Sequence, residues 1–155
     1  MGKLTKELVN ELISIKEKEE LVQWIEEHKH EHKTFGEYFQ ELCQKYNTNP
    51  SKLSSQCSKS KSYLYKCISD EKIPSKIAIV CIGFALKATQ GEINQMLKYA
   101  GHKELYPKNM WDATIIAGLH NHWTTYEIDR FLLERNIPGG LLNEEEKSEN
   151  KDASE

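Results

Sequence analysis

From Ser58 to Lys66 the chain reads Ser-Lys-Ser-Lys-Ser-Tyr-Leu-Tyr-Lys. Hydroxyls and ammonium groups dominate this stretch, and Leu64 is its one aliphatic residue. A hydroxyl donates and accepts hydrogen bonds, and a lysine adds three donors and a positive charge. Such a set suits a polyanion that also presents hydrogen-bonding edges. Lys59, Lys61, Lys66 and, a little further on, Lys72 supply the cations. Ser60, Ser62, Tyr63 and Tyr65 supply the hydroxyls. On a helix opened by Ser60, the residues Leu64, Cys67 and Ile68 form an inner stripe. Lys61, Ser62, Tyr65 and Lys66 are then left for the outside. The competing reading is a solvated lysine-rich surface, with Tyr63 and Tyr65 partly packed between helices.

The other chemistry-bearing residues form weaker sets. His28, His30 and His32 alternate, so on a helix His28 and His32 share a face and His30 does not. No carboxylate or cysteine set completes a coordination shell around them, and a solvated helix end is the expected role. Asp112, His120 and His122 lie close in sequence, yet the two histidines point to different sides of a helix. The chain carries no glycine-rich phosphate loop, no HExxH and no GxSxG. No catalytic residue, metal or cofactor is therefore assigned, and the protein is expected not to be an enzyme. Cys43, Cys57, Cys67 and Cys81 include no close pair and fall mostly on apolar stripes, which points to reduced core residues.

The whole sequence sets the frame for these residues. Its 155 residues suit one domain with appendages. With 38% hydrophobic and 29% charged residues, it has a core's worth of apolar material and a hydrophilic surround. The longest uncharged apolar run, residues 77–86, is too short to span a bilayer. The first twenty residues are charged throughout and do not read as a secretory signal. With the cysteine usage, this predicts a cytoplasmic protein with no membrane partner. The net charge of -3 hides a segregation. Residues 1–33 sum to -2, residues 34–110 to +5 and residues 111–155 to -6. A basic middle between acidic flanks is what a polyanion-binding surface needs.

The spacing of apolar residues predicts helices throughout, and no alternating strand pattern appears. Residues 4–32 read as one helix with a polar waist at Lys16–Glu20, or as two helices broken there. Thr34 caps a helix from Phe35 to Tyr46, with Glu37 as its capping-box partner. Asn49 caps a short helix near Ser51–Cys57, with Pro50 in its first turn. A polar turn, Ser58-Lys59, leads to the cap Ser60 and a helix over 61–68. Residues 75–86 form an apolar helix at the centre of the core. Gly91 and Glu92 open another, ending near Gly101. After a linker, Leu105-Tyr106-Pro107, a helix over 109–119 carries the stripe Trp111, Ile115 and Leu119. Thr124 or Thr125 caps a last helix that runs to about Glu134, with Ile128, Phe131 and Leu132 inward, and Pro138-Gly139-Gly140 follows as its stop. Residues 143–155, acidic and nearly without apolar residues, are expected to be disordered.

Residues Phe35 to Leu97, and above all Ser60-Lys61-Ser62-Tyr63-Leu64-Tyr65-Lys66, resemble the phage-repressor or Cro-type (XRE) helix-turn-helix domains of bacteria. The resemblance implies an all-α, five-helix DNA-binding domain over 34–101. An N-terminal helical segment would precede it (1–33), and a C-terminal helical extension would follow (102–142). It implies a transcriptional regulator, expected to be dimeric, that lays the helix Ser60–Ile68 in the major groove of double-stranded DNA. Lys61, Ser62, Tyr63 and Lys66 would face the bases, joined by Tyr65, Lys59 and Lys72 would meet phosphates, and the cap Ser60 would complete the DNA-binding set. The sequence departs from the family's pattern in the preceding helix and turn. Pro50 stands in place of the usual glutamine, Ser54 in place of alanine, and Ser58-Lys59 in place of a glycine and an apolar residue. A second reading follows from those departures: an adaptor or antitoxin-like module that keeps the fold and binds a protein partner instead of DNA. Leu8, Ile15 and Val22, seven apart, fit either a dimer seam or packing on the chain's own core.

Overall fold

A left-handed residue, one buried or half-buried residue and then a helix cap: this three-residue corner turns the chain four times. It occurs at Asn47-Thr48-Asn49, Ser58-Lys59-Ser60, Lys87-Ala88-Thr89 and His122-Trp123-Thr124. The first residue has φ of 51°, 57°, 59° and 57° respectively. The third accepts a hydrogen bond from a backbone N–H in the new helix's first turn. Four residues after each cap stands a buried aliphatic: Leu53, Leu64, Ile93 and Ile128. The corner thus stops one helix, starts the next and aims the new helix's apolar stripe at the core.

The computed structural model describes residues 4–28 and 33–142, and all of their regular structure is helical. The helices are α1 (Thr5–Ile13), α2 (Lys18–Glu27), α3 (Phe35–Lys45), α4 (Pro50–Cys57) and α5 (Lys61–Ile68). They continue as α6 (Lys76–Leu86), α7 (Gln90–Tyr99), α8 (Met110–His120) and α9 (Thr125–Glu134). The expected disordered tail, His30 and His32 lie outside the described residues. Among the described residues no helix is long and apolar enough to cross a membrane.

The chain divides into two compact units, Met1–Lys33 and Thr34–Glu155. In the first, two helices form rather than one. The break falls at Ser14–Glu17, slightly before the expected waist, and Lys18–Glu20 already belong to the first turn of α2. His28 Nδ1 lies 2.8 Å from the Trp24 carbonyl oxygen and its ring stacks on the indole at 4.1 Å, so this histidine closes α2.

The second unit is built around α6, seven of whose eleven residues are buried. Packing runs α3 on α5 and α7, α4 on α5 and α6, α6 on α7, and α8 on α9. One hydrophobic cluster runs from Phe35 to Leu141 without a break at 101/102. Ile115, Ile128 and Leu132 of the C-terminal helices share it with Leu53 and Ile79. All four cysteines are buried free thiols, and burial pushes the Cys43 thiol up to about 11.

The hairpins α6–α7 and α8–α9 repeat one design at an offset of 35 residues. Gly83 and Gly118 admit the crossing helix: a Cβ would come within 2.5 Å of Ile93 and 2.7 Å of Ile128. Thr89 and Thr124 each form a capping box, with Glu92 and Glu127. Asn94 and Asp129 then take the backbone N–H of Leu105 and Leu141, the buried anchors of the segments after each hairpin. The last helix ends at Glu134, as its apolar spacing predicts, ahead of left-handed Asn136.

Glu92 ties this frame together. Its carboxylate accepts from Thr89 N at 2.9 Å, Lys45 Nζ at 2.7 Å and the Tyr46 hydroxyl. Burial alone would raise its pKa, but these donors outweigh it and hold the group at about 2. The same bond to Glu92 pushes the Tyr46 hydroxyl up to about 12. A carboxyl held below its unfolded value stabilises the fold above the unfolded pKa and loses that contribution as pH falls toward the folded one. Glu92→Gln should cost about 2 kcal/mol at pH 7, roughly 5 °C in Tm. It should also flatten the loss of stability between about pH 5 and 2, read by thermal melts across that window.

Candidate nucleic-acid interface

Helix α4 buries Pro50, Leu53 and Cys57, and helix α5 buries Leu64 and Cys67. The two pack together across the corner Ser58-Lys59-Ser60. Their inner faces being occupied, the outer face of α5 presents Lys61, Ser62, Tyr65 and Lys66, all exposed. Lys61 and Lys66 make no ion pair among the described residues. The Tyr65 ring is 49% exposed, and its hydroxyl lies 3.3 Å from Ser51 Oγ, which links α5 to the start of α4. Asp70, left-handed at the end of this segment, accepts from Gly36 N at 2.9 Å and so holds α5 to the start of α3.

The remaining expected site residues lie differently. Ser60 is exposed, and its Oγ accepts from Tyr63 N at 3.0 Å as the cap of α5. Tyr63 is half-buried, with Lys59 Nζ 5.7 Å and Lys72 Nζ 5.4 Å from its ring centroid. Both ammonium groups are therefore held against an aromatic face. Lys72 keeps part of its surface in solvent. Lys59 does not: it is 3% exposed, which corrects its assignment as a surface phosphate contact. The reason is the corner, whose second residue faces inward, as Ala88 does in the equivalent turn. Lys52, exposed on α4, was not among the expected cations. Its signal was its position in the first turn of α4, two residues after Pro50.

Asp112, His120 and His122 do not come together. Asp112 is buried in the first turn of α8, where it pairs with Lys76 Nζ at 2.6 Å and accepts from Tyr106 N at 2.8 Å. His120 stands at the other end of that helix, about 12 Å along its axis. Its Nε2 lies 2.9 Å from Gln90 Oε1 of α7. Among the described residues no group of three His, Cys, Asp or Glu side chains could hold a metal ion.

Comparison of the chain with protein families, curated proteins and solved structures finds no match.

If Ser60 orders α5 through its cap, Ser60→Ala should destabilise the protein by about 1 kcal/mol. Urea unfolding followed by circular dichroism should show the midpoint falling with an unchanged slope.

Proposed function

We propose that α3–α7 form a helix-turn-helix domain of the phage-repressor type, in which α4 and α5 are the paired helices and α5 enters the major groove of double-stranded DNA. The protein then acts as a transcriptional regulator. One observation carries this reading: a capped helix whose exposed face is Lys61, Ser62, Tyr65 and Lys66, joined through a three-residue corner to a packed partner helix. Ser62 and Tyr65 offer hydrogen bonds to base edges, and the lysines offer charge to phosphates. Lys52 and Lys72 flank them as further phosphate contacts. Lysine is a point charge and lacks arginine's planar fork, so base discrimination rests on Ser62, Tyr65 and DNA shape as much as on the cations.

A second reading is favoured by the first unit, where Leu4, Val9, Ile13, Val22 and Ile25 are exposed. These side chains suit a second copy of the chain or a protein partner, and the XRE-type domain would then serve as a scaffold.

Fluorescence anisotropy on mixed duplex fragments across a salt series tests the first reading. Contacts from Lys52, Lys61, Lys66 and Lys72 should give a log–log salt slope of roughly -3 to -4 per protomer. Lys61→Glu should weaken binding at least about tenfold at unchanged helicity. Absence of binding at low salt, or unchanged binding by Lys61→Glu, rejects α5 as the reading helix. For the second reading, light scattering of Val22→Lys against the unaltered chain should show a dimer lost; the same mass for both removes Val22 from any seam.

A further inference from the structure

Two copies of the corner face one another across a groove of about 870 Å3. One wall comes from the α6–α7 corner and the other from the α8–α9 corner, and residues 35 apart supply equivalent positions on each side. Its apolar surface comes from Phe84, Leu119 and Trp123, all half-buried. Its positive charge comes from Lys87, and the imidazoles of His120 and His122 add hydrogen-bonding groups. No carboxylate lines it. The two nearby in sequence, Glu92 and Glu127, are turned back onto Thr89 N and Thr124 N as capping-box partners. Lys87 has no carboxylate partner among the described residues. Gln90 and His120 join the two walls at 2.9 Å.

We propose that this groove is a binding site for a small amphipathic anion, a carboxylate carried on an aromatic or aliphatic body. The volume lies in the range of ligand pockets, roughly 300–1,000 Å3, and combines a mostly apolar lining with a few convergent polar groups. The aromatic and aliphatic side chains take the body of the ligand. Lys87 takes the carboxylate, and the two imidazoles and the amide of Gln90 offer further hydrogen bonds. The sign of the charge excludes a cationic ligand, which would find no carboxylate to pair with. The proposal stands apart from DNA binding: the groove reaches α4 at Gln56 but shares no residue with the outer face of α5.

The probe pair is naphthalene-2-carboxylate and its neutral counterpart 2-naphthalenemethanol, titrated calorimetrically into the full chain at pH 7.5. The acid should bind with Kd of about 1 mM or tighter, as a ligand of this size allows. The alcohol should bind at least about tenfold more weakly, because it forgoes the charge. Lys87→Asn keeps a residue type that tolerates the left-handed backbone, so the corner survives and only the charge is lost. It should bring the acid down to the alcohol's affinity with Tm unchanged. The fluorescence of Trp123 should report binding, and Trp123→Phe should abolish the optical change. No heat from either probe, equal affinity of acid and alcohol, or unchanged acid binding by Lys87→Asn each overturns the proposal. None of these outcomes depends on whether the protein binds DNA.

Discussion

A non-glycine residue held in the left-handed region, two positions before a helix cap, is the constraint on which the second unit depends. Such a residue costs on the order of 1–2 kcal/mol. The cap that follows returns about 1 kcal/mol, and the aliphatic four positions later returns about as much again or more through burial. The strain persists because the helix on each side is fixed by packing. Ser58 shows the consequence for the outer surface. With its φ at 57°, the chain reverses in three residues, so α4 and α5 lie against each other and the outer face of α5 is left clear.

Carboxylates with several donors do the joining that apolar contacts cannot direct. Glu92 collects donors from α3 and from the corner before α7. Asp112 does the same for α6 and the segment before α8, through Lys76 and Tyr106 N. Asp129 receives the backbone N–H of Leu141 and Leu142 and brings the chain back over α9. Each sits in or near the first turn of its helix, where a negative charge is favoured and orphan N–H groups are nearby. The segregation of charge seen along the chain is thus partly internal, because these acids are engaged in holding helices together. The lysines of the α5 face are not.

The two C-terminal hairpins show how one design yields a cleft. Each corner has half-buried side chains on its open side, and a single corner would simply expose them. Two copies set opposite each other enclose a volume, with like groups converging from both walls. The same corner at α4–α5 instead has Lys59 at its inward position, and the Tyr63 ring receives that ammonium. The difference between a closed core contact and an open groove lies in the residue at that one position and in what stands opposite it.

Much was legible in the sequence because it is local. Threonine, serine and asparagine caps, the capping box of Thr34 and Glu37, Pro50 at a helix start and the apolar spacing of α3 to α9 all act within a few residues. So was the outer face of α5, since helical periodicity alone separates Lys61, Ser62, Tyr65 and Lys66 from Leu64 and Cys67. The capping box of Thr89 and Glu92 is an equally local Thr-x-x-Glu spacing, whereas the corner's recurrence is marked by φ, which residue type signals only weakly outside glycine. What tertiary structure alone decided is where each polar group ends up when distant segments meet. Lys59 is buried because a corner turns it inward, and Asp112 because Lys76 arrives from thirty-six residues away. The groove exists because two consecutive hairpins, offset by 35 residues, face each other. Burial and long-range pairing depend on how helices stack, and no window of sequence contains both partners.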